Sequence, residues 1–517
     1  MANKNLFQTI VGKLTKRPDA INEAGAPAYS LTSEQALAQL AVTGCLNGTF
    51  YATAHDQLKA VLELANECEP EFVAKVAVYA RHQSCMKDMP ALLCAVLAVR
   101  DGELLQKVFG RVIDNGKMLR NFVQIVRSGA VGRKSLGTLP RRLVRQWIAE
   151  RSMEQLFYAS LGQKPSLRDV IRMVHPKPKD AQRANFYAYL IGKPFDREQL
   201  PDEVRQFEMF KTDEASLPNI NFQFLSALPL TTAEWRVIAQ RANWTTLRMN
   251  LNTFQRHGVF DCDETTMLIA ERLADPERVI RAKAFPYQIM TTLLNIKRDA
   301  PGVLRDALEQ AMEIATANVP ALPGRTVVAI DISGSMHAPV TGYRKGSTST
   351  TTCLDAAAVL AAAVLRRNPD TTVMPFHTEV SRVKLDPSES IVNLSSRLRG
   401  LPSGGTDCSV VLKELNRKRE RADTVIYFSD NESWFNANPY GNSTSMLKEW
   451  RRFKASNPRA QLVCIDIQPY TTVQAPVADD VTHVGGFSDQ VFEVLRSITS
   501  GDRTPDMFVD RIRQVAI

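Results

Sequence analysis

The chain has 517 residues, 44% of them hydrophobic and 23% charged, an ordinary balance for a folded protein and too long for a single core. Its formal charge of +9 is unevenly spread, because residues 111–190 alone hold 16 Lys and Arg against 5 Asp and Glu. No run of about 18 apolar residues exists, which excludes a transmembrane helix. The first residues lack the apolar core of a secretory signal. Eight cysteines stand singly with no CxxC, which argues against a zinc site and a disulfide framework, so a cytoplasmic location is expected.

From about Ser33 to Asn318 the pattern is almost wholly helical. EQALAQLAVTG (34–44), HDQLKAVLELANE (55–67), EFVAKVAVYARHQ (71–83) and ALLCAVLAVR (91–100) repeat apolar residues at three- and four-residue spacing. Pro70, Pro90, Gly102, Gly116, Gly129, Pro140 and Pro165 punctuate the series at short intervals. Helices in series with few strand signals predict a bundle or a solenoid of stacked pairs, and the lack of a clean period favours an irregular solenoid.

After Pro320 the pattern changes. RTVVAID (325–331), TTVMPFH (371–377), DTVIYFS (423–429), AQLVCID (460–466) and VTHV (481–484) read as buried strands. Helices are predicted at 352–367, 406–420, 446–456 and 488–498. Strand and helix in alternation imply an α/β domain with a doubly wound parallel sheet, whose ligands bind beyond the strand carboxyl ends. The expected organisation is an N-terminal arm (1–30), a helical module (31–320) and the α/β domain (321–517).

Three loops at those strand ends carry oxygen ligands. Asp331-Ile-Ser333-Gly-Ser335 is a DxSxS motif, Ser403-Gly-Gly-Thr406 adds a threonine on a Gly-rich turn, and Asp430 follows the strand that ends at Ser429. A hard divalent cation such as Mg²⁺ takes about six oxygens and keeps some waters. Asp331, Ser333, Ser335, Thr406 and Asp430 are a suitable set. DxSxS alone also fits a turn or a helix cap; three elements in order are more specific. The arrangement resembles the metal-ion-dependent adhesion site of von Willebrand factor A domains. His337, two residues past Ser335, reads as incidental, and His377 and His483 have no evident partner.

The basic stretch carries Lys117, Arg120 and Arg127 flanking one helix, Arg133 and Lys134 in a Gly-bounded loop, and Arg141, Arg142 and Arg145 opening the next helix. Lys164, Arg168, Arg172, His175, Lys177 and Lys179 follow. Arg168, Arg172 and His175 align on one helical face. Such a stripe suits phosphates, with salt-sensitive and largely sequence-independent affinity; the alternative is a solvated face balanced in space by acids.

The chain as a whole resembles the Ro autoantigen (TROVE-domain) family. The segments that carry the resemblance are Ala80-Arg81 with Met86-Lys-Asp-Met-Pro90, Gly132-Arg-Lys, Val170-Ile-Arg-Met-Val-His175-Pro-Lys177, Thr246-Leu-Arg-Met-Asn250-Leu-Asn252 and Ala284-Phe-Pro286. The resemblance implies a monomeric ring of HEAT-like helical repeats closed by the A domain. It also implies that Y RNA binds on the outer basic surface and the 3′ ends of misfolded noncoding RNAs in the central hole, with no DNA or membrane partner. Bacterial relatives tether the exoribonuclease polynucleotide phosphorylase. His175 is the position carried over as a Y RNA contact. Tyr158 and Gly162 stand where the family has cations, with Lys164 and Arg168 as nearby substitutes.

The sequence therefore predicts a non-catalytic RNA-binding protein of noncoding RNA quality control. A scaffold whose metal site grips an acidic residue of a partner protein is the second reading. A two-metal nuclease is the third, and it lacks the carboxylate cluster such enzymes need.

Overall fold

The computed structural model describes residues 16–43, 46–284, 286–317, 319–343, 351–435, 437, 441–487, 491–492, 495–497 and 506–517. They form two compact units. One is Leu58–Ala315 with the C-terminal Arg511–Ile517; the other joins the chain up to Gln57 to Thr316–Asp510.

The first unit is helical. Pro70–His82, Asp88–Arg100 and Gly102–Val112 pack on one another in sequence. Asp88–Arg100 is apolar nearly all round, as a central helix must be, and buries every residue from Met89 to Leu97. The basic stretch occupies the next five helices: α1 (Gly116–Ser128), α2 (Thr138–Glu150), α3 (Met153–Ala159), α4 (Leu167–Val174) and α5 (Ala181–Ile191). Their ends are written in the sequence. Asn115, Ser152, Ser166 and Asp180 each accept a backbone N–H as N-caps, and Gly129 and Gly192 close α1 and α5 with positive φ. One face of α1 buries Met118, Leu119, Phe122, Val123 and Val126, while Lys117 and Arg127 stay exposed. Further helices run on to Gly302–Ala315.

The second unit is α/β. Its strands in chain order are β1 (Ala20–Ile21), β2 (Pro27–Ser30), β3 (Thr326–Asp331), β4 (Thr372–Phe376), β5 (Thr424–Ser429), β6 (Gln461–Asp466), β7 (Thr472–Val473) and β8 (Val481–Gly485). The main sheet is parallel in the order β4-β3-β5-β6-β8. β3, β5 and β6 are buried along their whole length, which explains the apolar run between their polar end residues. Helices α6 (Cys353–Arg367), α7 (Ile391–Arg399), α8 (Val410–Lys418) and α9 (Ser445–Ser456) connect them. The helix expected at 488–498 falls partly outside the described residues.

The domain boundaries expected from sequence need correction. Residues 16–30 are not a separate arm: β2 pairs with β1 and β7 in a small antiparallel sheet. Tyr29 is fully buried in the same core as Val327, Tyr427 and Trp450. The helix Ser33–Thr43 packs on β8, so the helical module begins near residue 58 rather than 31. Among the described residues no helix is long and apolar enough to cross a membrane.

Candidate functional site

β3 and β5 are neighbours in the sheet, so their carboxyl ends deliver Asp331 and Asp430 side by side. Both are buried, as are Ser333, Ser335 and Thr406. The Ser333 amide donates to Asp331 Oδ1 at 2.8 Å, and the Ser429 hydroxyl donates to Asp331 Oδ2 at 2.6 Å. Ser333 Oγ and Ser335 Oγ lie 3.3 Å apart, and the Ser335 hydroxyl bonds Asp430. The Thr406 loop is tied to both of the others. The Gly334 amide donates to Gly404 O at 3.0 Å, and the Trp434 amide donates to Thr406 O at 3.1 Å. The five residues singled out from the sequence are thus held in three mutually bonded loops.

The electrostatics of this cluster ask for a cation. Burial raises the carboxyl of Asp331 above the ordinary aspartate range, and burial followed by repulsion from Asp331 raises that of Asp430. Among the described residues no Lys or Arg pairs with either one, and no group of three or more His, Cys, Asp or Glu is arranged to hold a metal. The donor set is therefore two carboxylates and three hydroxyls. That set fits a hard divalent ion whose charge would offset the pair.

Several side chains around the cluster carry no local sequence signal. Tyr51, from the segment before the helical unit, bonds Ser335 through its hydroxyl and stacks edge-on against Tyr470. Asn22 donates to Ser433 O at 2.9 Å, and the Ala24 amide donates to Glu432, whose other carboxylate oxygen has no partner among the described residues. Trp434 and Phe435 stay exposed beside the Thr406 loop. His337 is exposed. The other two histidines do have partners: His377 packs over Gly404 and accepts from the Thr378 amide at 2.7 Å, and His483 bonds Ala475 O at 2.8 Å.

In the helical unit, Lys117, Arg127, Lys134, Arg141, Arg142, Lys164, Arg168, Arg172, His175 and Lys177 are exposed. Arg145 donates to Val174 O, which brings the α2 cations beside His175 at the end of α4. Arg172 donates to Ile191 O at 2.8 Å and Arg168 lies over Gly192, so both lean toward the end of α5. Arg133 is half-buried, donates to Ala98 O at 2.9 Å and covers Gly137, so it shapes its loop. Arg120 does not share the exposed position of Lys117 and Arg127 on α1. It is only 8% exposed, because α1 approaches α3 closely at Gly116 and the guanidinium turns inward to Ala159 O at 2.5 Å.

Residues 325–499 match the family described as the Ro60 vWA domain. The chain is 24% identical, over 93% of its length and 95% of the relative's, to the RNA-binding protein RO60 of Deinococcus radiodurans. It is 22% identical to the RNA-binding protein RO60 of Caenorhabditis elegans over 45% of this chain and 36% of that one. The crystal structure of the Deinococcus radiodurans RO protein superposes with a TM-score of 0.62 at 23% identity, covering 91% of this chain and all of that one. The C-terminal α/β domain thus matches the Ro60 vWA family over residues 325–499, and the chain is similar to Ro proteins along nearly its whole length.

Proposed function

We propose that this chain is a non-catalytic RNA-binding protein of the Ro type, acting in noncoding RNA quality control or processing. The observation that carries the reading is the run of exposed cations on α1, α2 and α4 and their loops, in a stretch with few acids. The relatives named RNA-binding proteins support it. Its finer parts follow the family resemblance: Y RNA on the basic surface around His175, capture of the 3′ ends of misfolded noncoding RNAs, and an exoribonuclease such as polynucleotide phosphorylase as partner. Mg²⁺ would be held by Asp331, Ser333, Ser335, Thr406 and Asp430, and its role there is docking rather than bond cleavage.

The test reverses charge where no fold contact is lost. Lys134, Arg141 and Lys177 are exposed and have no hydrogen-bond or ion-pair partner among the described residues. The triple variant Lys134→Glu, Arg141→Glu, Lys177→Glu should weaken binding of a structured RNA with a free 3′ end by more than about tenfold and flatten its salt dependence. Unchanged affinity at moderate salt would overturn the reading. A second reading has its own observation: exposed Trp434 and Phe435 beside the metal loops suit a partner protein that supplies a carboxylate. Magnesium-dependent capture of an RNA-free protein partner would favour it.

A further inference from the structure

Between α1, α2 and α3 the helical unit holds an open cleft of about 960 Å³, and its chemistry differs from that of the surrounding surface. One wall is a stacked pair. The Arg151 guanidinium lies 3.7 Å from the Trp147 ring centroid and is held there by hydrogen bonds to Trp147 O and Asp114 O. Trp147 is itself buried and donates to Ile113 O, so of the pair the half-buried guanidinium plane of Arg151 is the part more open to the cleft. Unstacked bases settle on such planes as they do on aromatic rings.

A second wall is a cation without a counter-ion. Arg120 spends one donor on Ala159 O, and no carboxylate pairs with it among the described residues. Desolvation alone pulls its pKa down, as expected of a buried charge with no acid beside it. Its guanidinium lies over Gly162, whose φ of +108° and missing side chain make the seat, since a Cβ there would collide with Nη2. Lys117 stands exposed on the rim. Of the nearby acids, Asp114 is already bound by Arg81 at 2.6 Å. Glu150 also lines the cleft and accepts from the Gln146 side chain at 2.6 Å. The rim beyond it carries neutral amides: the side chain of Gln223 and the Nδ2 of Asn221 have no partner among the described residues.

A fixed plane, an uncompensated buried cation and free amides in one cleft match the three parts of a nucleotide: base face, phosphate and base edge. We propose that this cleft receives one unpaired nucleotide of a single-stranded RNA segment, with the base on Arg151, its phosphate on Arg120 and Lys117, and its edge toward Gln223 and Asn221. The proposal rests on the RNA-binding reading above and adds a base-accepting site to a surface that otherwise holds phosphates.

The test uses the full chain and a short single-stranded oligoribonucleotide with one internal 2-aminopurine, whose fluorescence reports stacking. Arg151→Lys keeps the charge and removes the plane. It should abolish most of the 2-aminopurine quench and weaken this probe roughly tenfold, while a fully paired RNA hairpin loses less than about twofold. Gln223→Ala, at an exposed neutral residue outside the basic stretch, should weaken the same probe a few-fold with no change in thermal midpoint. Wild-type quench and affinity in both variants would overturn the cleft. If the Lys134, Arg141, Lys177 triple still abolished binding in that case, the RNA reading would stand without it. Failure of the unmutated chain to bind any RNA would sink both.

Discussion

Tyr29 offers the sharpest check on where the α/β unit begins. Its ring is fully buried against the main-sheet core, its hydroxyl donates to Lys16 O at 3.1 Å, and it accepts from the Thr444 amide at 3.4 Å. Truncating a buried aromatic to alanine costs about 3–5 kcal/mol, the transfer of the ring plus the cavity it leaves. The unit has about 250 residues, for which each kcal/mol moves the thermal midpoint by about 2–4 °C. Tyr29→Ala should therefore lower the α/β transition by about 10 °C. Tyr29→Phe removes only the hydroxyl bonds, about 0.5–1.5 kcal/mol, and should lower it by about 2–4 °C. Scanning calorimetry with near-UV circular dichroism reads both. A drop under about 3 °C for Tyr29→Ala would refute the assignment of residues 16–30 to this unit and restore them as a detached arm.

Three further expectations are independent of that one. Mg²⁺ at about a hundred times its dissociation constant should stabilise the α/β unit by about 2.7 kcal/mol, and Asp331→Asn should erase the shift in a thermal scan; a shift that survives would place the ion elsewhere. Gly162→Ala forces a side chain into positive φ and onto Arg120, and should destabilise the helical unit by about 1–3 kcal/mol in urea unfolding. A loss below about 0.5 kcal/mol would show that the seat is roomy. Glu414 is held at about 2 by its hydrogen bonds to Arg417 and then Lys418. Its folded pKa is depressed, so its small contribution is present above the ordinary glutamate range and lost as pH falls toward about 2. A carboxyl titration followed by NMR with a midpoint near 4.5 would contradict the pairing.

Much of the architecture could be read from the residues. Runs such as 423–429 and 460–466 became β5 and β6 almost to the residue, because a strand buried on both faces is apolar through its middle. The convergence of the Asp331, Thr406 and Asp430 loops was legible for a related reason: parallel strands end on the same edge of the sheet, so short polar side chains at fixed offsets just past them meet there. The helix at 391–399 escaped because Ser395 and Ser396 interrupt its apolar spacing, even though Ser395 is buried. The pairing of β2 with β7 left no local trace, since a two-residue strand has no periodicity. Arg120 looked like a surface cation because only the approach of α3 at Gly116 turns it inward. Tyr51 reaches Ser335 from a part of the chain with no motif at all.

The α/β unit is assembled from two stretches of chain with the helical unit inserted between them. Tyr29 meets Thr444, 415 residues later, so on a ribosome adding about 5–20 residues per second its partner emerges roughly 20–80 s after it does. For that interval β2 has β1 beside it but neither β7 nor the main-sheet core, and its other edge stays open, while the helices of Leu58–Ala315 already have their local contacts. Translation order thus makes residues 20–30, made long before their partners, among the last to find their place.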